Sequence, residues 1–498
     1  MRQRLALWGC MALLAVAWLV PGAWAEVDVR VPEGQSTLET ILQPTDWFSW
    51  GADLRLRQIY QKNNDDFKTD DTPVVFPPPN NDDNRNYLSV RTRLWAKVGP
   101  FFTVDELETP NGMSGYIRMT HEAYVWLQQE GRPSPDPHTQ FFRKGNINEV
   151  VFDNLWVEWQ RILALPVSMR VGRQDFIYGR GWVILDGTPY DTSRTIYFDA
   201  IKTTLHFDEA KADLDIVVFD NKGYEKRLEP LNEQDARVSD YDERGFWLYL
   251  QKNYMKTHNI HAYYIYKDGD QTDTRAGRLN PVPGSGLRAG HVIHTLGGLA
   301  MGAFPDIADA VVPDYYAEAG FQWGREGSVQ RRGYGFNSEL GCALPGVVWQ
   351  PRVHAGFEYL SGDEPTSTKY EGWDPVFGRW ARWSEIYAYR CDTESAPALM
   401  TNLQRYNVGV SAKPTEKLGL TANFNHVRTN ERTFNPLARP EFARGKARGN
   451  HLAGTATYDF NKYVSANVLL EYFHPDSYYS RITDDAVYAR WELVFTLR

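Results

Sequence analysis

The chain has 498 residues, a formal net charge of -9 and 14% aromatic residues, yet its mean hydropathy is only -0.50. The acidic balance excludes a generally basic nucleic-acid binder, so any attraction for anions has to come from local placement of Lys and Arg. Beyond the first residues no stretch approaches the roughly 18 consecutive apolar residues that a membrane-spanning helix needs, which excludes a helical membrane protein.

The N-terminus reads as a secretory signal over residues 1–25. Arg2 and Arg4 form a positive start, Leu5 to Val20 is an apolar run, and Ala23-Trp24-Ala25 is an A-x-A cleavage site. Leu7-Trp8-Gly9-Cys10 has the look of a lipoprotein box, but it precedes most of the apolar run, whereas a lipobox Cys follows it. Residues 26–46 then form a short periplasmic segment, and 47–498 a single architecture of about 450 residues with no Pro/Gly/Ser linker to divide it. Abundant aromatics without overall hydrophobicity suit a β-barrel with a polar, water-filled lumen and aromatic girdles at the membrane interfaces. A secreted β-sandwich or carbohydrate-binding protein is the alternative.

A barrel strand alternates lipid-facing apolar with lumen-facing polar residues, and this period recurs along the chain. Phe48, Trp50, Ala52, Leu54 and Leu56 share one parity, while Asp53, Arg55 and Arg57 share the other. An arginine facing lipid at mid-membrane costs roughly 2 to 4 kcal/mol, so the parity with Arg is the lumen. Leu88, Val90, Thr92, Leu94, Ala96 and Val98 likewise oppose Ser89, Arg91, Arg93 and Lys97. Later, Ile201, Thr203, Leu205 and Phe207 oppose Lys202, Thr204 and His206; Val353, Ala355, Phe357 and Tyr359 oppose Arg352, His354 and Glu358. Tyr406, Val408, Val410 and Ala412 oppose Arg405, Asn407, Ser411 and Lys413, and the last segment opposes Val487, Ala489, Trp491, Leu493, Phe495 and Leu497 to Tyr488, Arg490 and Glu492.

The pattern predicts strands near 47–60, 87–99, 114–127, 151–161, 166–176, 197–208, 211–220, 244–254, 258–267, 291–303, 314–324, 331–343, 348–361, 401–413, 417–428, 447–460, 463–474 and 486–497. The fold class is therefore an all-β, transmembrane, antiparallel up-and-down barrel of about 18 strands, or 16 if Gly297-Gly298 or Arg382 to Tyr389 is misread. Tight turns such as Leu165-Pro166, Glu209-Ala210 and Phe460-Asn461-Lys462 alternate with long polar connections near Lys62 to Asn86, Gln128 to Asn148, Asn221 to Glu243, Asp268 to Gly290 and Gly362 to Asn402. That asymmetry predicts periplasmic turns and extracellular loops.

Val171-Gly172-Arg173-Gln174, then Gly181-Trp182-Val183-Ile184-Leu185-Asp186-Gly187-Thr188-Pro189 and Ser193-Arg194-Thr195, resemble the alginate export family of outer-membrane proteins. Glu358-Tyr359-Leu360-Ser361-Gly362-Asp363, Phe377-Gly378-Arg379-Trp380 and Thr401-Asn402-Leu403-Gln404 are similar to family blocks in the same order. The resemblance spans roughly Phe48 to the end and implies a monomeric 18-stranded porin whose basic constriction draws a polyuronate outward. Basic pore residues of the family match Arg55, Arg93 and Arg173. Other basic positions fall near Asp153, Pro397, Asn467 and Leu469, which leaves a glycan or other anionic solute as the expectation.

The candidate pore residues are Arg55, Arg57, Arg91, Arg93, Arg173, Lys202, Arg352 and Arg405. On neighbouring strands, Arg55, Arg57, Arg91 and Arg93 would form a positive patch on one inner wall, concentrating anions and matching carboxylate geometry. In the alternative, they pair with Asp53, Glu122, Glu158, Glu358, Glu471 and Glu492 as a structural ladder of a general or small-solute porin. Because both would face water, changing Arg91 and Arg93 to Glu is expected to invert the local potential with folding intact.

Expected partners are outer-membrane lipid, an anionic polysaccharide or other small anionic solute, and periplasmic export proteins; no nucleic acid and no cofactor is expected. An outer-membrane lipid-modifying enzyme is a weaker alternative, since the scattered His258, His261, His291, His294, His354, His426 and His451 sit in no nucleophile motif. Asn63-Asn64-Asp65-Asp66 and Asn80 to Asn84 lack the spacing of a calcium loop. Cys342 and Cys391 read as unpaired, and residues 26–46 are too short for a plug that fills a lumen.

Overall fold

A computed structural model describes residues 37–63, 85–104, 107, 109–129, 150–185, 197–222, 242–270, 290–305, 310–364, 366–378, 381–387, 400–432, 445–479 and 484–498. The expected signal at 1–25, the start of the 26–46 segment, the Asp-rich stretches beyond Asn63, Cys391, and parts of the sequence blocks at 186–196 and 379–380 lie outside these residues. A short helix, α1 (Thr37–Leu42), precedes the barrel and receives a hydrogen bond from the Trp50 indole on the Ile41 carbonyl at 2.8 Å.

The strands are β1 (Phe48–Lys62), β2 (Arg85–Phe101), β3 (Gly112–Gln129), β4 (Val150–Gln160), β5 (Val167–Gln174), β6 (Phe198–Phe207), β7 (Ala212–Asn221), β8 (Asp242–Met255) and β9 (His258–Asp270). They continue as β10 (His291–Ala303), β11 (Val312–Glu326), β12 (Val329–Ala343), β13 (Arg352–Leu360), β14 (Leu403–Thr415), β15 (Leu418–Arg428), β16 (Ala447–Asn461), β17 (Val464–Pro475) and β18 (Ala486–Leu497). Each pairs antiparallel with its chain neighbours, and β18 pairs with β1 from Ala52↔Leu497 to Lys62↔Val487. Closure leaves no strand edge in lipid, where every unsatisfied backbone group costs several kcal/mol.

The alternation read from sequence decides which face is inside. Leu94, Val98, Leu155, Val157, Met169, Val171 and Ile201 are exposed on the outer surface, while Arg55, Arg57, Arg91 and Arg173 are buried within. Gly297 and Gly298 lie inside β10, so the count is 18. One boundary departs from expectation: β13 starts at Arg352, not at 348. Residues 344–351 form a turn instead, with Leu344 N–H donating to the Pro351 carbonyl at 2.8 Å and with Trp349 and Gln350 at positive φ.

Connections after even-numbered strands are short. Those after odd-numbered strands are mostly long, although β11 and β12 meet through only Gly327 and Ser328. Two of the long connections turn into the barrel. The lumen segments 175–185, after β5, and 361–387, after β13, carry Phe176, Tyr178, Val183, Ile184, Trp373, Val376 and Phe377 into a core with inward-facing Phe198, Phe219, Trp247, Tyr249, Tyr263 and Ile265. Phe176 meets Trp247 edge-on at 5.0 Å, and Tyr178 stacks on Tyr249 at 4.0 Å; such pairs contribute about 0.5–1.5 kcal/mol each beyond their burial. The 362–402 connection is thus not simply an extracellular loop, and the lumen is not water-filled throughout. On β6 to β9 several inward positions, Phe198, Val217, Trp247 and Ile265 among them, are themselves aromatic or aliphatic, and the infolded segments cover them.

Candidate lumenal constriction

Register places the candidate cations opposite one another and beside acids. Arg55 lies across from Arg91, and Asp53 across from Arg93, in the β1–β2 pair, while Arg91 faces Glu122 on β3. Arg55 meets Glu122 at 3.2 Å, Arg57 meets Glu492 at 2.5 Å, and Arg91 meets Asp53 at 3.4 Å. Arg93 donates to Thr120 Oγ1 at 3.1 Å and stands 3.7 Å from Asp153. Arg173 forks onto both oxygens of Asp199 at 2.9 and 3.1 Å and lies over the Tyr197 ring at 3.9 Å. Lys202 reaches Asp215 at 3.0 Å, Arg352 reaches Asp314 at 2.5 Å and Glu339 at 2.7 Å, and Arg405 reaches Glu358 at 2.9 Å.

All eight sequence-identified cations therefore have a carboxylate neighbour. Arg91 is only 6% exposed rather than open to lumenal water. The Asp153 carboxylate also holds Arg118 at 2.8 Å, and Arg118 bridges on to Asp175 at 2.7 Å. Arg118 did not stand out in sequence, although its inward parity follows from the outward Ile117 and Met119 beside it.

The two lumen segments are fastened to the wall from several strands. Trp182 donates its indole N–H to Glu358 at 2.9 Å and stacks on Trp373 at 5.1 Å. Phe377 N–H donates to the Val183 carbonyl at 2.9 Å, so the Gly181-Trp182-Val183 and Phe377-Gly378 blocks, far apart in sequence, meet inside the barrel. Gly378 is required by this approach, since a Cβ there would sit 2.0 Å from the Trp182 carbonyl oxygen.

Asp374 is a second anchor. It accepts from Val376 N–H at 2.7 Å, lies 3.5 Å from Lys267 and 3.8 Å from Arg331, and its own N–H donates to Gln322 at 2.8 Å. Burial pushes the Asp374 carboxyl up, but Lys267, Arg331 and His291 outweigh it and hold the group well below the usual carboxylate range. Further along, Ser384 Oγ and the N–H groups of Glu385 and Ile386 all donate to Glu471, at 2.9, 2.9 and 3.1 Å. Glu385 pairs with Arg490 at 2.8 Å. Its carboxyl is pushed up to about 7 by burial and by the neighbouring Glu471, against the opposing pull of Arg490.

Between the segments and the wall lies a cavity of about 1030 Å³. Arg93, Arg118, Arg180, Arg382, Arg405 and Arg490 line it together with Asp175, Glu339, Glu358, Glu385 and Glu471, four asparagines (Asn337, Asn407, Asn423 and Asn425) and Trp182, Trp373 and Trp383. Of the sequence-identified set, Arg93 and Arg405 reach this cavity; Arg55, Arg57, Arg91, Arg173, Lys202 and Arg352 are not among its lining residues. Arg180 and Arg382 come from the lumen segments. Arg180 lies 3.2 Å from Glu339 and 4.2 Å from the Tyr316 ring, with 42% of its side chain exposed. Arg382 is exposed, donates to the Arg180 carbonyl, and has no carboxylate partner among the described residues.

A closed antiparallel barrel of 18 strands, with a charged lumen narrowed by infolded connections, is an outer-membrane channel of the porin type. Its fold is similar to that of OccAB4 of Acinetobacter baumannii, at a TM-score of 0.55 and 8% identity over 91% of this chain and 99% of that one. It is also similar to OpdQ of Pseudomonas aeruginosa, at 0.53 and 10% identity over 90% and 97% of the two chains. OccK8 (OprE) of the same organism follows at 0.51 and 10% identity, over 90% and 98%. At these identities the likeness is one of fold. No curated protein matches the chain. Residues 129–458 match the family described as alginate export, and the chain belongs to that family of bacterial outer-membrane proteins.

Proposed function

We propose that the barrel acts as a monomer and passively conducts an anionic solute, a polysaccharide or uronate chain delivered by periplasmic export partners, past a constriction formed by Arg93, Arg180, Arg382 and Arg405. The carrying observation is Arg382, which projects into the cavity with no carboxylate partner among the described residues. Low-dielectric walls concentrate the field of such a group, and its planar fork matches a carboxylate. The buried or paired Arg55, Arg57, Arg91, Arg173, Lys202 and Arg352 would shape that field from within the wall.

A second reading, a small-solute porin with a structural charge ladder, is favoured by the pairing of all eight sequence-identified wall cations with an acid. Changing Arg180 and Arg382 together to Glu separates the two. Under a KCl gradient in planar bilayers, the reversal potential should move towards cation selectivity at roughly 0.01 M salt, where the Debye length is about 30 Å, and the shift should shrink as salt rises. An unchanged reversal potential at low salt removes the basic-constriction reading and leaves the ladder.

A further inference from the structure

A second cavity, of about 530 Å³, lies towards the short-turn end of the lumen and shares Ile177 and Gly179 with the larger one above it. Beside it three adjacent strands bring a hydroxyl, an imidazole and a carboxylate into line: His206 and Asp213 line the cavity, and Ser168, 8% exposed, adjoins His206. Ser168 of β5 stands across from Thr204 of β6, and two residues further along β6 His206 stands across from Asp213 of β7. Ser168 Oγ lies 2.8 Å from His206 Nε2, and His206 Nδ1 lies 2.7 Å from Asp213 Oδ1. The Arg161 N–H donates to the same Ser168 oxygen at 3.0 Å. We propose that Ser168, His206 and Asp213 form a hydrolytic relay that cleaves short acyl esters of polar alcohols entering the lumen.

The roles follow from the hydrogen-bond order. Asp213 accepts from His206 Nδ1–H and fixes the tautomer in which Nε2 is the acceptor, so Asp213 is a positioning residue. The free Nε2 lone pair then takes the Ser168 proton while Oγ bonds to the ester carbonyl carbon. The Arg161 N–H stabilises negative charge on Oγ as that proton leaves. Collapse of the tetrahedral adduct breaks the acyl C–O bond, and His206 returns the proton to the departing alcohol oxygen. Water attacks acyl-Ser168 by the same route, giving a carboxylic acid and restoring the Ser168 hydroxyl; one ester and one water yield one acid and one alcohol.

The substrate class follows from the surroundings. Gln251, Asn253 and Asn259 supply amide donors for a carbonyl or hydroxyl oxygen, and the Arg161–Asp208 pair, with contacts of 2.7 and 2.5 Å, closes the rim. The relay faces the lumen, on the parity opposite lipid-facing Met169 and Ile201, and the cavity is too polar for a long acyl chain. A water-soluble ester fits, and a bilayer lipid does not.

The test uses the full chain folded in detergent. A fluorophosphonate probe should add once, and peptide mass spectrometry should place the adduct on Ser168; p-nitrophenyl acetate hydrolysis should fall to background in Ser168→Ala. Loss of the orienting carboxylate in such a relay costs about four orders of magnitude in rate, so Asp213→Asn should slow labelling by at least about a hundredfold, and Asp213→Glu should recover most of it. Absence of an adduct on Ser168 in the folded wild-type chain overturns the proposal whatever the variants do. Equal labelling rates in Asp213→Asn and the wild type also overturn it, since a carboxylate that only braces the wall would leave the Ser168 labelling rate unchanged.

Discussion

Replacing Glu471 with alanine removes one buried carboxylate that receives three donors from the lumen segment, namely Ser384 Oγ and the N–H groups of Glu385 and Ile386, as well as His451 Nε2 at 3.1 Å. Glu471 is 4% exposed, so water reaches this point poorly. A buried donor left without an acceptor costs about 1–3 kcal/mol. Even the lower bound for three donors is about 3 kcal/mol, which converts to a roughly hundredfold rise in the population with the segment unseated. The barrel itself should persist, because its ladder is unaffected by the change. Hydrogen exchange should therefore show protection of the 384–387 amides falling by about a hundredfold in Glu471→Ala, with protection in the strands retained. Unchanged protection at 384–387 would refute the claim that Glu471 is what seats the segment. In bilayers the same variant should show a larger or noisier conductance than the wild type.

Four further outcomes are expected. The Glu385 carboxyl is pushed up to about 7, so its stabilising protonated form is fully present below the unfolded value and is lost as pH rises through about 7; protection factors at 384–387, each corrected for the intrinsic exchange rate at its pH, should be higher at about pH 5.5 than at about pH 8, and Glu385→Gln should flatten the difference. Gly378→Val places a side chain against the Trp182 carbonyl, and should raise conductance while leaving the heat-modifiable folded band on gels. Changing Arg91 and Arg93 to Glu puts new carboxylates beside Asp53, Glu122 and Asp153; contrary to the sequence-based expectation, the yield of folded barrel should fall, and wild-type yield would show that the pairs carry no folding energy. Deleting residues 486–498 removes β18 and exposes the edges of β1 and β17, so the heat-modifiable band should disappear.

Much of the fold was legible because a barrel strand's signal is local. The parity that sets Arg55 and Arg57 against Leu54 and Leu56 needs only the period of two and the cost of arginine in lipid, and the same parity carried through to Arg490 and Glu492 in β18. The wall cations were legible for the same reason. Their pairing was only an option in the sequence, because whether Arg91 meets Asp53 or open water depends on the register between strands.

The sequence by itself determined the barrel of 16 to 18 strands, the closing role of β18 and the polarity of the wall, since each follows from alternation within a dozen residues, and the structure fixed the count at 18. It did not determine the fate of 175–185 and 361–387, whose Gly, Pro, Trp and charged residues are also what a solvated loop carries. Only the tertiary structure decided that, by bringing Glu471, Arg490, Lys267, Gln322 and Glu358 from separate strands around them. It decided in the same way that Arg180 and Arg382 share the cavity and that Ser168, His206 and Asp213 stand in line. A buried donor or charge is tolerated only where its partner is in place, and those partners are distant in sequence and adjacent only once the barrel has closed.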